Sequence, residues 1–293
     1  MRSLLLAVTL LLLPLAVWGE IIHRERSLYQ TILIDRRGAE LCLQFSIRRD
    51  QRNQSCINKR NPKKMVFSYT RMMMASLLLN PQPRRILVVG LGGGTLPTAL
   101  AALLPEAIVH VVEIDAAVVR VAEEYFGFAQ SEVLKVFTQD ARVFTKRAGS
   151  RGETYDLIML DAYNGDYIPE HLMTREYLEE TRALLAHGGV LAANTFAVSR
   201  LYDHESATYA SVFGEFFNLR LNKSANRVIL AATRALPQLA TMRTRAARLA
   251  RPLSAYGVDI QDYPSSMSRD ADWDRNARVL TDQYAPANLL NRD

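Results

Sequence analysis

The sequence predicts an α/β protein: a mostly parallel sheet with helices on both faces, preceded by a small antiparallel β domain. Three observations carry this expectation. The stretch 86–115 begins with an apolar run, Ile-Leu-Val-Val, passes through the turn Gly-Leu-Gly-Gly-Gly-Thr and a helix-compatible segment, and ends in Ile-Val-His-Val-Val-Glu-Ile-Asp. A buried parallel strand whose turn opens a helix, followed by a neighbouring strand, has this pattern. Strand-like and helix-like segments then alternate as far as Thr195, which specifies a parallel sheet covered on both faces. Ahead of them, residues 20–66 carry short alternating segments separated by polar turns, the signature of an antiparallel sheet.

Taken in order, residues 1–19 stand apart from the fold. Arg2 precedes an apolar stretch from Leu4 to Trp18, too short for a comfortable bilayer span, and Val17-Trp18-Gly19 offers a processing site before Glu20. The segment reads as a signal peptide for export to the periplasm, or, uncleaved, as a short membrane anchor. No later stretch is long and apolar enough to span a bilayer. Strands are expected at 27–34, 39–46 and 54–57 in the domain 20–66. The middle one holds Cys42 and the last holds Cys56, so a hairpin could close a disulfide worth roughly 3 kcal/mol in an oxidising compartment; two buried thiols are the alternative.

The main domain is placed at 67–240. A helix is expected over 65–79, stopped by Asn80-Pro81-Gln82-Pro83, with Met72-Met73-Met74 as core filling. After the opening β-α-β, residues 116–128 read as a helix, 134–137 as a third strand and 141–146 as its helix. A fourth strand, 155–160, ends at Asp161. The helix 170–186 is expected to stop at His187-Gly188-Gly189, followed by a strand over 190–195 and a late strand over 227–232. From Leu236 the chain turns Arg- and Ala-rich and then loop-like, and 241–293 is read as a C-terminal extension.

With 49% hydrophobic and 23% charged residues among 293, the chain is ordinary globular material for one large or two modest domains. Its formal charge of +6 does not imply nucleic acid, because basic residues are interleaved with acids and no recognised binding motif is present. The densest basic run, 48–64, reads as a solvated hairpin. The five histidines fall singly, without ligand spacing, so no metal is expected.

The chemistry gathers at strand ends. Gly90 and Gly92 permit a tight turn and close approach of a ligand, and Glu113, nineteen residues beyond Gly94, ends the second strand where a carboxylate can take both ribose hydroxyls. This is half of a Rossmann-like mononucleotide-binding unit. A third glycine is missing at Thr95, which disfavours NAD, and no Gly-Lys-Ser/Thr supplies a phosphate loop. An adenosyl ligand without a pyrophosphate remains, such as an S-adenosylmethionine type of donor. Asp140 and Asp161 join Glu113 on the same rim. Asp140, before Ala-Arg-Val-Phe, reads equally as a helix N-cap or a ligand contact; Asp161 precedes irregular chain and reads as functional.

At this point the chain resembles the spermidine synthase (polyamine aminopropyltransferase) family over roughly 27–232. The pieces are Gln54-Ser55 after a short hairpin, a Tyr69-centred helix, the glycine turn, Val112-Glu113-Ile114-Asp115, Gln139-Asp140-Ala141 and Tyr155-Asp-Leu-Ile-Met-Leu-Asp161. The ending Leu-Thr-Asp282-Gln-Tyr-Ala-Pro resembles a branch of the family often fused to membrane transporters. The resemblance implies a Rossmann-like S-adenosylmethionine-dependent transferase fold, a homodimer, and decarboxylated S-adenosylmethionine as co-substrate with a small-molecule amine as acceptor. Carried over, Gln54 and the turn Gly90, Gly92 line the donor site, Glu113 holds the ribose, Asp140 with Ala141 reads the adenine, Asp161 is the base, and Tyr69 and Asn164 contact the substrate. Three acids usual in the family are replaced: Gly93 stands in the glycine turn, Tyr69-Thr70-Arg71 replaces Tyr-His-Glu, and Asn164 replaces a second Asp, with Asp166 as a partial substitute. At roughly 1–3 kcal/mol for each lost charged hydrogen bond, polyamine affinity is expected to fall by several orders of magnitude. The alternatives are an S-adenosylmethionine-dependent methyltransferase and an exported adenosyl- or polyamine-binding relative without turnover.

Overall fold

The computed structural model of the chain describes residues 19–47, 50–164, 167–222 and 224–286. The segment read as a signal peptide or anchor lies, apart from Gly19, outside the described residues, as does Asp166. Among the described residues no helix is long and apolar enough to cross a membrane.

The N-terminal sheet has four antiparallel strands in the order β1 (Glu20–Arg26), β2 (Thr31–Arg37), β3 (Glu40–Ile47) and β4 (Asp50–Asn58). The expected first strand at 27–34 is corrected: residues 27–30 form a turn, closed by the Ser27 amide on the Gln30 carbonyl at 2.9 Å, and a further strand precedes it. β1 carries no strand signal in sequence because it is a half-exposed edge whose residues, Glu-Ile-Ile-His-Arg-Glu-Arg, have no apolar alternation. Cys42 and Cys56 face each other across β3 and β4 and are joined in a disulfide. Ile32, Ile34 and Leu43 on the inner face are fully buried against Val118, Val121 and Phe126, which fastens this sheet to the main domain.

The expected helix over 65–79 is two short ones, α1 (Ser68–Met73) and α2 (Ser76–Leu79). Met72, Met73 and Met74 are completely buried in the core at this junction. The main sheet is then assembled from β5 (Arg85–Val89), β6 (Ile108–Glu113), β7 (Leu134–Thr138), β8 (Tyr155–Leu160), β9 (Leu185–Phe196), β10 (Phe217–Arg220), β11 (Asn226–Ala232) and β12 (Met267–Ser268). Its order is β12-β10-β11-β9-β8-β5-β6-β7, parallel from β9 to β7 and antiparallel beyond β9. Helices α3 (Thr95–Leu103), α4 (Ala116–Tyr125), α5 (Ala141–Ser150), α6 (Arg175–Ala183), α7 (Tyr202–Phe213) and α8 (Leu239–Ser254) cover it, and two apolar clusters fill the spaces on its faces. Because β5 is flanked by β6 on one side and β8 on the other, a topological switch point falls beside it, where open α/β sheets bind ligands.

One further expectation is corrected, and one region gains an element. The region 170–186 is a 3-10 turn at Glu170–Leu172, then α6 capped by the Thr174 hydroxyl on the Tyr177 amide, and Leu185 already pairs with Tyr155 in β9. His187-Gly188-Gly189 is therefore an irregularity inside a strand, where an added Cβ at Gly189 would meet backbone atoms of Ala186 and Tyr155 at 2.9–3.0 Å. The Arg- and Ala-rich stretch beyond Leu236, given no element in the sequence reading, forms the sixteen-residue α8. Its Met242, Ala246 and Leu253 recur at helical spacing and are buried in the main core, a stripe masked in sequence by the surrounding arginines.

Candidate active site

At the end of β5 the chain must turn close against the end of the neighbouring β8. The Gly90 amide donates to the Val112 carbonyl and the Asp161 amide to the Val89 carbonyl, both at 2.8 Å, so three strand ends are tied at one point. Gly90 has φ 98°, and a Cβ there would stand 2.3 Å from the Asp161 carbonyl oxygen. Only glycine meets both constraints. Gly93 is confined differently: its Cβ would lie 2.7 Å from the Phe126 ring and 2.8 Å from the Ser55 hydroxyl, so the packing here leaves no room for an acid in the turn.

Glu113, at the end of β6, accepts the Leu91 amide on one carboxylate oxygen and the Asp115 amide on the other, each at 3.0 Å. Burial pushes its carboxyl up, and these amide bonds oppose the shift. Asp140 follows β7 and caps α5 through the Val143 amide at 2.9 Å, while its other oxygen lies 2.8 Å from His171 Nε2. The His171 bond holds this carboxyl below the usual range. Replacing Asp140 by Ala is expected to lower stability by about 1 kcal/mol through loss of the cap, read as a reduced urea midpoint with an unchanged slope.

Asp161, just past β8, is the remaining rim acid. Asn194 Nδ2 donates to one of its oxygens at 2.9 Å, and Asn194 is itself held by Asn226 at 3.0 Å and by the Tyr163 hydroxyl on its carbonyl at 2.8 Å. Burial pushes the Asp161 carboxyl up to about 7, against the smaller pull of the Asn194 bond. Burial, and after it the charge of Asp161, keeps the Tyr69 and Tyr163 hydroxyls protonated, so both stay neutral donors beside it.

A cavity of about 260 Å³ lies over this rim. All nine residues singled out in the sequence line it: Gln54, Tyr69, Gly90, Gly92, Glu113, Asp140, Ala141, Asp161 and Asn164. Gln54 reaches it through a bulge, because Leu43 pairs with Ser55 and Gln44 with Asn53, leaving Gln54 as the extra residue of β4. The Tyr69 hydroxyl donates to the Gln54 carbonyl at 3.4 Å, which places the small sheet against α1 at the cavity wall. Asn164 is exposed and backbone-paired with Tyr167. Arg71, by contrast, donates to the Met65 and Val66 carbonyls, at 2.8 and 3.3 Å, and is absent from the lining.

Sequence reasoning missed several lining residues. Tyr29 and Gln30 arrive on the β1–β2 turn, held by the Ser27 hydroxyl on the Asp115 carboxylate, a contact across 88 positions with no local signal. Tyr163 lies in irregular chain and His171 in the short 3-10 turn Glu170–Leu172, neither of which carries a periodic sequence signal. Asn194, which is not part of this lining but orients Asp161, is legible as a polar residue inside an apolar strand. Among the described lining residues there are three carboxylates and no lysine or arginine, so the cavity favours a cation. The His/Cys/Asp/Glu group with metal-like spacing among the described residues is Glu40, Cys42 and Cys56, and its sulfurs are committed to the disulfide.

Residues 66–225 match the spermine/spermidine synthase domain. The chain is also 52% identical over 272 residues to the polyamine aminopropyltransferase of Vibrio vulnificus, covering 92% of this chain and 91% of that one. The chain belongs to the spermine/spermidine synthase family. Its fold is that of a probable spermidine synthase from Corynebacterium glutamicum, with a TM-score of 0.65 at 22% identity, covering 87% of this chain and 97% of that one. It is also similar to human methyltransferase-like protein 13 in complex with SAH, with a TM-score of 0.59 at 25% identity, covering 72% and 96%. In this spermine/spermidine synthase family member the Rossmann-like transferase fold and the N-terminal antiparallel sheet are thus both as expected, and the switch-point cavity lies between them.

Proposed function

We propose that the protein is an aminopropyltransferase that moves the aminopropyl group of decarboxylated S-adenosylmethionine to an amine acceptor. The observation that carries this is a rim of Glu113, Asp140 and Asp161 around one switch-point cavity whose described lining contains no lysine or arginine. A sulfonium donor and an ammonium acceptor are both cations, and such a site concentrates them. Glu113 holds the ribose, Asp140 and Ala141 face the adenine, and Gln54 with the Gly90 and Gly92 turn encloses the donor. Asp161 takes a proton from the acceptor ammonium, the freed amine nitrogen attacks the carbon next to the sulfonium, and the carbon–sulfur bond breaks to release methylthioadenosine. The protein's work is alignment and proton removal. Asp161, poised at about 7, is a competent base near neutral pH.

A pH dependence follows with a definite sign. Protonated Asp161 cannot accept the proton, so kcat/KM is expected to fall as pH drops through about 7 and to level off above it. A profile flat from pH 6 to 8 would remove Asp161 from this role.

The second reading is a methyltransferase using S-adenosylmethionine itself. It is favoured by Gly93, where the packing excludes an acid that would hold the donor amine, and by the likeness to methyltransferase-like protein 13. Calorimetry with both donors and methylthioadenosine, followed by mass analysis of the acceptor, separates the readings. Preference for the decarboxylated donor and an added aminopropyl group supports the first; preference for the carboxylated donor and an added methyl group supports the second. Binding without either product supports a non-catalytic relative.

Export through residues 1–19, to the periplasm or to a membrane tether, is part of the proposal. The Cys42–Cys56 disulfide favours an oxidising location. Mass measurement of the purified N-terminus tests it: a chain starting at Glu20 supports cleavage, and recovery of the full-length chain in the soluble cytosolic fraction contradicts export.

A further inference from the structure

The motif Leu-Thr-Asp-Gln-Tyr at 280–284 lies far in sequence from the rim, yet it contacts Arg142 and Thr174, which follow the lining residues Ala141 and Leu172 on two segments of the cavity wall. Its backbone is a closed turn, with the Thr281 and Tyr284 amides donating to each other's carbonyls at 2.8 Å. The Arg278 guanidinium lies 3.5 Å from the centre of the Tyr284 ring. Leu280 is completely buried against Met173 and Leu201, with Tyr167 and Ile168 packed around them. Its carbonyl accepts the Arg175 amide at the start of α6, at 2.8 Å.

Asp282 makes the polar half of the attachment. Arg142 grips both of its oxygens, at 2.6 and 2.7 Å, and the Thr174 hydroxyl donates to it at 2.8 Å. Arg142 is itself held by Glu180, through Nε at 2.9 Å and Nη2 at 2.8 Å. Arg142 immediately follows Asp140 and Ala141, and Thr174 closely follows Pro169, His171 and Leu172; these five residues line the cavity. The two walls meet directly in the His171–Asp140 contact at 2.8 Å.

We propose that the turn at 280–284 is a latch that sets the donor site, with Asp282 as a positioning residue that fixes the segment 167–173 against the start of α5. It acts through Arg142 and Thr174 and touches no substrate. This inference rests on the reading of the cavity as an adenosyl-donor site. A bidentate arginine–carboxylate pair has a defined geometry, so it fixes the spacing of the walls as well as joining them.

The test is Asp282→Ala in the full chain. Methylthioadenosine affinity is expected to weaken about tenfold, since small misplacements in a site are amplified in binding, with the donor KM rising in parallel and the acceptor KM and the pH profile unchanged. Amide exchange in the segment 167–173 should accelerate while β5 and β6 keep their protection. A lower Tm with methylthioadenosine affinity within twofold of the parent overturns the proposal, because a merely structural contact would do that. Asp282→Asn, which retains the Thr174 hydroxyl bond, is expected to give a smaller weakening and carries the test if the Ala variant does not fold. The exchange measurement needs no ligand, so failure of the parent to bind methylthioadenosine would reject the functional reading separately, and unchanged exchange in 167–173 would reject the latch.

Discussion

Asp161→Asn is expected to lower turnover by about a thousandfold while leaving methylthioadenosine affinity within about twofold of the parent chain. The substitution keeps shape and removes only the ability to take a proton. The donor's adenosyl part is assigned to Glu113 at the end of β6 and to Asp140 and Ala141 at the start of α5, so its binding should be nearly indifferent to position 161. The same change has a stability signature. The folded-state carboxyl sits at about 7, above its ordinary 3.8, so between those values the native chain holds a proton that the unfolded chain has lost. Stability contributed by this group is present below about pH 4 and falls as pH rises toward 7. The amide of the variant does not titrate, so the variant should gain Tm relative to the parent as pH is raised from 4 to 8. Paired thermal melts across that range check this, and a constant difference would mean that Asp161 is not shielded as described.

Glu113→Ala is expected to weaken methylthioadenosine binding by about a hundredfold or more. Hydrogen bonds to a charged partner contribute roughly 1.5–3 kcal/mol each, and two ribose hydroxyls are lost together. The carboxylate also pins the glycine turn through the Leu91 amide and the strand end through the Asp115 amide. The variant would therefore lose preorganisation as well as contacts. Calorimetry reads the change directly, and a dissociation constant within threefold of the parent would remove Glu113 from the ribose.

The parts of this fold that were legible in sequence are those with a local physical cause. The glycine turn, the apolar parallel strands and the acids at their ends announce themselves because a buried strand must be apolar and a rim must not be. Glu113, Asp140 and Asp161 were found for that reason and share one cavity. What stayed hidden depends on contacts remote in sequence. β1 is an edge with little buried surface, so burial imposed no alternation on it. The glycine pair after α6 looked like a helix stop, yet it serves an irregular strand pairing with Tyr155. Tyr29 and Gln30 become lining residues only once Ser27 finds Asp115. The replacement of an acid by Gly93 was visible as a departure, but its cause, the Phe126 ring and the Ser55 hydroxyl in the space a side chain would need, required coordinates.

The central claim is that an adenosyl group lies over the rim of the parallel sheet with its ribose on Glu113 and its sulfur toward Asp161. A crystal structure of the full chain with methylthioadenosine at saturating concentration tests it most directly. The account expects both ribose hydroxyls within hydrogen-bond distance of the Glu113 carboxylate and the adenine beside Asp140 and Ala141. Methylthioadenosine bound elsewhere, or a cavity that remains without it, would contradict the account.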